Sequence, residues 1–305
     1  MNLVLDKSVR NDEYIDSMFD QAFKSIVQNP KFRRLLSLII SEVTNFSPRF
    51  IYDNLNFINT ELPIDKINER VKITDILAYV DGSIINIEAN KSISSSMIGK
   101  NNLYHHKIAY QKYKKGENID NNMIIQINFN TVRRFGDKLF EEFIMRNKDC
   151  TFIDEENFKR IHINMANPLE KYYTNSELTK VEKILVMFQI TNKKELWKLA
   201  KGDEDLENMA RIIDDLNEDD EIIGAYYKDE MDEWMKKVDH EKAIKEGQAK
   251  GFKQGIEQGI EKGHNEGSKE KALEIAKKLV KIGLDKKEIS QVTGLSLEEI
   301  NLFKD

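Results

Sequence analysis

Asp75 and Glu88 bracket the segment ITDILAYVDGSIINIEAN, and their spacing is the part of this chain that can do chemistry. Asp81-Gly82 is a strong two-residue hairpin signal between two runs of strand-forming residues. With that pair as the loop, Val80 faces Ser83 and Asp75 falls directly opposite Glu88. Alternation then gathers Ile73, Asp75, Leu77 and Tyr79 on one face with Ile84, Asn86, Glu88 and Asn90. The other face carries Ile76, Ala78 and Val80 against Ile87, Ile85 and Ser83, and reads as core. Two carboxylates opposed across a ladder repel one another. A cation between them reverses the sign. Magnesium suits such a pair, because it takes oxygen ligands and keeps several waters for a substrate phosphate. One of those waters can serve as a nucleophile. The other reading is two exposed acids on a solvated sheet face, and a longer loop would change the register.

The elements that must hold this hairpin are legible around it. IDSMFDQAFKSIV places Ile15, Phe19, Phe23 and Ile26 at helical spacing, and RRLLSLIISEVTNF is apolar on nearly all sides, as a well-buried helix is. KNNLYHHKIAYQKYKKG reads as a helix ending near Gly116. MIIQINFN is a further strand, and FIDEENFKRIHINM supplies one or two more. The expectation is an α/β domain over 1–167, an acidic helical region over 168–240, and an assembly segment over 241–305.

Composition limits the function classes. The 305 residues are 40% hydrophobic and 33% charged, enough for a real core under a charged surface. The formal net charge of −6 excludes a generally basic nucleic-acid coat protein. Charge is uneven: residues 1–160 hold 23 Lys+Arg and 22 Asp+Glu, and the remainder hold 24 and 31. A polyanion site therefore belongs in the first half. A single cysteine, Cys150, excludes an internal disulfide and a cysteine-based zinc site, and reads as a plain thiol near a strand start. The charged N-terminal residues do not read as a signal peptide, and no run of about 18 apolar residues exists for a membrane span. A cytoplasmic protein is expected.

The second half carries two unusual features. Residues 201–233 hold 14 acids against 3 basic residues, which reads as a solvated helical face. Gly247, Gly251, Gly255, Gly259, Gly263 and Gly267 then recur every fourth residue, a bare strip winding round a helix. The strip suits either close packing of a partner helix or a loose tether. Closed dimers are the commonest oligomer, so a homodimer through this segment is expected. KALEIAKKLVKIGLDKKEISQVTGLSLEEINLF follows as a helical hairpin with Gly294 at the turn. Its Glu298, Glu299, Asn301 and Lys304 are a poor set for a DNA-reading helix.

At the hairpin the sequence resembles a known family. ITDILAYVDGSIINIEAN is similar to the Asp…Glu-x-Lys core of the PD-(D/E)XK nuclease superfamily. It resembles more closely the Rpn family of recombination-promoting nucleases, also described as transposases. The other shared motifs are DQAFK (Asp20, Phe23, Lys24), Lys100 and Tyr104 after the Glu motif, the glycine repeat, EIAKKLV and TGLSLEEI. Together they cover almost the whole chain. The resemblance implies a restriction-endonuclease-like mixed sheet flanked by helices, followed by an all-α C-terminal region. It implies magnesium-dependent hydrolysis of DNA phosphodiesters, with manganese as an alternative metal, in mobile-element recombination or defence against foreign DNA. Asp75 and Glu88 would hold the metal. Asn90 stands where the superfamily has lysine; it can donate a hydrogen bond but brings no charge. Lys91 is adjacent but turned to the opposite face unless a bulge intervenes.

The remaining candidates are on the helix after the hairpin. Lys107, Lys112, Lys114 and Lys115 interleave with Tyr104, Tyr110 and Tyr113, and with Lys100 they form a weak DNA-contact set. The same pattern also describes an amphipathic helix with snorkelling lysines. His105 and His106 are consecutive, fall on different sides of a helix, and read as structural. The alternative function is a catalytically weak DNA-binding or oligomerisation protein, which Asn90 and the acidic second half favour.

Overall fold

The computed structural model describes residues 13–62, 72–92, 94–114, 123–133 and 136–303. The chain forms two compact units, Met1–Lys228 and Asp229–Asp305.

The first unit opens with α1 (Asp20–Val27), α2 (Arg33–Ser41) and α3 (Pro48–Asn54). Ser47 caps α3 by accepting the Phe50 N–H, with Pro48 at the first helical position, where its missing N–H costs nothing. The strands β1 (Asn56–Ile58), β2 (Glu61–Leu62), β3 (Lys72–Ile73), β4 (Ile76–Val80) and β5 (Ser83–Asn90) follow. Helix α4 (Ser95–Lys114) crosses over to β6 (Ile124–Asn130), and β7 (Phe140–Arg146) and β8 (Ile153–Asn164) complete the sheet. Its order is β1-β4-β5-β6-β8-β7, with β5, β6 and β8 parallel and the other pairs antiparallel. The fold is mixed α/β, as expected; β2 and β3 form a separate two-stranded ribbon.

The hairpin register is the one the Asp-Gly loop dictates. Val80 pairs with Ser83 and Ile76 with Ile87. Asp81 and Gly82 both have positive φ, 48° and 78°, which is what a type I′ turn requires. Asp75 lies one residue before β4, in a bend, so the ladder stops just short of the Asp75–Glu88 pair. The FIDEENFKRIHINM segment gives one strand, β8; the second antiparallel strand on that edge is β7, FEEFIMR.

The two faces of the sheet differ. On one, Ile76, Ala78, Val80, Ile85, Ile87, Ile125, Ile127 and Phe129 join a large core with Phe23, Phe32 and residues of α2. Helices α5 (Ala166–Tyr173), α6 (Lys180–Met187), α7 (Lys193–Ala200) and α8 (Glu204–Glu218) close that same core through Ile184, Leu185, Leu196, Met209 and Ile213. The two compact units part at 228/229. On the other face lies a smaller cluster of Leu77, Ile84, Ile124, Tyr104 and Ile108, the last two from α4. The site face of the hairpin is thus covered by a helix. The alternative reading, two exposed acids on a solvated sheet face, does not hold: the βαβ crossover between parallel β5 and β6 lays α4 over it.

Helix α9 (Asp220–Lys281) runs for 62 residues. In the second unit, α10 (Lys286–Thr293) and α11 (Leu297–Asn301) pack back on its end through Ala276, Ile289, Leu295 and Ile300. Gly294 between them has φ +71°, the left-handed cap the turn needs.

Candidate active site

Alternate residues of β5, β6 and β8 face α4, and all are polar beyond the first row. Ile84, Ile124 and Phe158 form that apolar row. Above it come Asn86, Gln126 and Arg160, then Glu88, Asn128 and His162, then Asn90, Asn130 and Asn164. Central parallel strands are normally apolar on both faces. Here a polar grid is buried within the sheet, and hydrogen bonds link several of its side chains to one another and to α4. Asn101 of α4 donates through Nδ2 to Asn90 Oδ1 and Asn128 Oδ1, both at 3.0 Å. Asn90 Nδ2 donates to Asn130 Oδ1 at 3.2 Å, and Gln126 Nε2 to the Asn101 carbonyl at 2.8 Å.

The two carboxylates sit at the edge of this grid. Glu88 is 1% exposed and Asp75 8%. Asp75 Oδ2 accepts the Ala89 N–H at 2.8 Å, and Glu88 Oε1 accepts from Asn86 Nδ2 at 3.1 Å. Burial, and then the neighbouring Asp75 charge, push the Glu88 carboxyl up to about 8. Burial also raises Asp75, against the lowering effect of the Ala89 hydrogen bond. Two desolvated acids side by side resist ionising unless a cation joins them. Lys100 of α4 brings Nζ to 4.0 Å from Glu88 Oε2 and lies over the Tyr104 ring at 5.2 Å. Both carboxylates are sensitive to the Lys100 charge.

The DQAFK segment converges on the same place. Phe23 anchors α1 in the core, with its ring 5.4 Å from those of Phe129 and Phe188. Asp20 and Lys24 pair at 2.9 Å on the surface of α1, and both charges act on Asp75.

The structure places the other expected residues as follows. Asn90 is on the Glu88 face, but its amide oxygen is taken by Asn101 and one N–H by Asn130, so its evident work is to tie β5 to β6 and α4. Lys91 turns away and pairs with Asp16 at 2.9 Å, with no bulge in β5. Tyr104 is core, and Lys107 is buried rather than displayed for DNA. Tyr110 is exposed. The side chains of Lys112, Tyr113 and Lys114 lie outside the described residues, as do Lys115 and Gly116. His105 is structural: it stacks on Phe158 at 3.9 Å, and burial, then the Arg160 charge, lower it to about 3. Cys150 is exposed in the turn between β7 and β8. The amide grid escaped the sequence reading, although its signal stands in IIQINFN, where Gln126, Asn128 and Asn130 alternate through an apolar strand.

No group of three or more His, Cys, Asp or Glu able to hold a metal occurs among the described residues. Asp75 and Glu88 still suit magnesium, which is commonly bound through one or two carboxylates with water and substrate oxygens completing the shell. The Asn86 side-chain oxygen is buried and unpartnered, while its Nδ2 is the atom that faces Glu88. Comparison with protein-family models, curated proteins and solved structures gives no match.

Proposed function

We propose that this chain is a divalent-metal-dependent phosphodiesterase acting on DNA, an endonuclease in which Asp75 and Glu88 hold the metal. One observation carries the reading: two buried carboxylates adjoin at the end of the β4–β5 hairpin, both raised, with Lys100 beside Glu88. A bound magnesium ion would lower the pKa of its water and polarise the scissile phosphate. The chain's own residues prepare that place. The Ala89 N–H fixes the Asp75 carboxylate, and Asn86 orients Glu88. Lys100 supplies a positive charge on the carboxylate side, the charge that Asn90 does not bring. The resemblance to Rpn nucleases supports DNA as substrate, with a role in mobile-element recombination or defence against foreign DNA. The second reading, a catalytically weak DNA-binding or oligomerisation protein, is favoured by the engagement of Asn90 in the amide grid.

Supercoiled plasmid incubated with magnesium, with manganese and with chelator separates the two. Nicked or linear product with metal alone is the expected result. Retarded but intact plasmid under all three conditions supports the second reading.

A further inference from the structure

Every residue from 233 to 271 of α9 is exposed, and this stretch contains all six glycines of the repeat. A β-carbon at any of Gly247, Gly251, Gly255, Gly259, Gly263 or Gly267 would meet nothing within 4 Å, so no packing within the chain requires them. Each costs a helix up to about 1 kcal/mol against alanine. The same stretch exposes large apolar residues: Phe252 at 74%, Ile256 at 46% and Ile260 at 68%. Isolated helices with such a composition are poorly stable without a partner.

We infer that a second copy of this chain covers this face, antiparallel, with its two-fold axis between Gly255 and Ile256. In that register Phe252 meets Gly259 of the other copy and Ile256 meets Gly255. Each of these two exposed apolar side chains thus finds a position with no side chain. Phe252 and Gly259 are seven residues apart, two turns less about 20°, so they share one helix face. Charge chooses the direction. Residues 245–253 carry Lys245, Lys250 and Lys253 against Glu246; residues 257–266 carry Glu257, Glu261 and Glu266 against Lys262. Antiparallel pairing sets the basic half on the acidic half, with Lys245 opposite Glu266 beside the seam. Parallel pairing sets like on like.

The inference is independent of the nuclease reading and is tested without an activity assay. Light scattering of the full chain at tens of micromolar should give a dimer mass; a monomer overturns it. Gly259→Leu should abolish the dimer while circular dichroism shows helix content kept or raised, since leucine is the better helix former. A persistent dimer in that variant refutes the packing. Lys245→Glu should weaken association about tenfold, and adding Glu266→Lys should restore it; no restoration removes the register. In a Cys150→Ser background, Ile256→Cys should cross-link to its own copy with a short bis-maleimide. Gln248→Cys should not, because the two copies of position 248 would lie roughly 22 Å apart. Cross-linking at both positions means a parallel pair and overturns the proposal.

Discussion

Asp75 Oδ2 accepts the backbone N–H of Ala89 at 2.8 Å, so the residue beside Glu88 fixes the carboxylate opposite it. This bond bridges the point where the β4–β5 ladder stops, and Asp75 stays against the end of β5 despite its like-charged neighbour. The arrangement favours a cation over a proton only when one is supplied.

Asp75→Asn and Glu88→Gln keep the shape and remove the charge. Metal-dependent cleavage should fall by about 10³-fold or more in each, on the scale of losing a principal transition-state contact. The fold should survive, because neutralising one of two buried like charges relieves repulsion. Near-wild-type plasmid cleavage by either variant would sink the metal assignment.

Stability against pH reports the same pair. The folded Glu88 carboxyl stands at about 8 against an ordinary 4.5, so between those values the folded chain holds a proton the unfolded chain has released. Metal-free stability must therefore fall as pH rises through this window. His105 works the other way: lowered to about 3 from 6.5, it adds stability as pH rises to 6.5. The two oppose each other below about 6.5, and the carboxylate effect stands clear of His105 between about 6.5 and 8. Urea midpoints in chelator should drop across that upper range in the wild type and stay flatter in Glu88→Gln. Magnesium should restore the wild type at pH 8. Parallel curves for the two proteins would contradict the raised carboxyl.

The hairpin was legible because its information is local. Asp81-Gly82 prescribes positive φ twice, and that alone sets which residue faces which down to Ile76 and Ile87. The apolar face and the helices α1 and α2 followed from periodicity in the same way. Two things were not local. Strand β7 reads FEEFIMR, with no alternation; it is a strand because β8 offers it an edge. The cover over the site face comes from α4, so Glu88 reads as an exposed acid until the crossover is placed. Asn90 and Asn101 are eleven residues apart, and nothing in either short segment announces their hydrogen bond.

Asn90→Ala tests that bond. It leaves Asn101 and Asn130 short of a partner inside the grid, at a cost of about 1–3 kcal/mol. Chemical unfolding should show the loss, with any fall in cleavage following from a displaced β5. Asn90→Lys forfeits the same two bonds, so it is no simple gain of the superfamily charge. Unaltered unfolding of the alanine variant would mean that the grid does not depend on Asn90.

Lys100 supplies the sharpest separation of catalysis from structure. Its ammonium approaches Glu88 from α4, half exposed, at a distance where the charge acts on both carboxylates. If it serves only to neutralise them, removing it should leave turnover intact once metal is saturating. If it also steadies charge developing on a phosphate, turnover should fall about 10²-fold at saturating magnesium. Magnesium itself should bind no more weakly in Lys100→Ala, because a competing cation has gone. The Glu88 carboxyl should rise further without the lysine charge, so the pH at which cleavage appears should move upward. Lys100→Arg keeps the charge and should recover part of the rate and the original pH limb. Full turnover in Lys100→Ala with an unmoved pH limb would reduce Lys100 to a surface contact of Glu88.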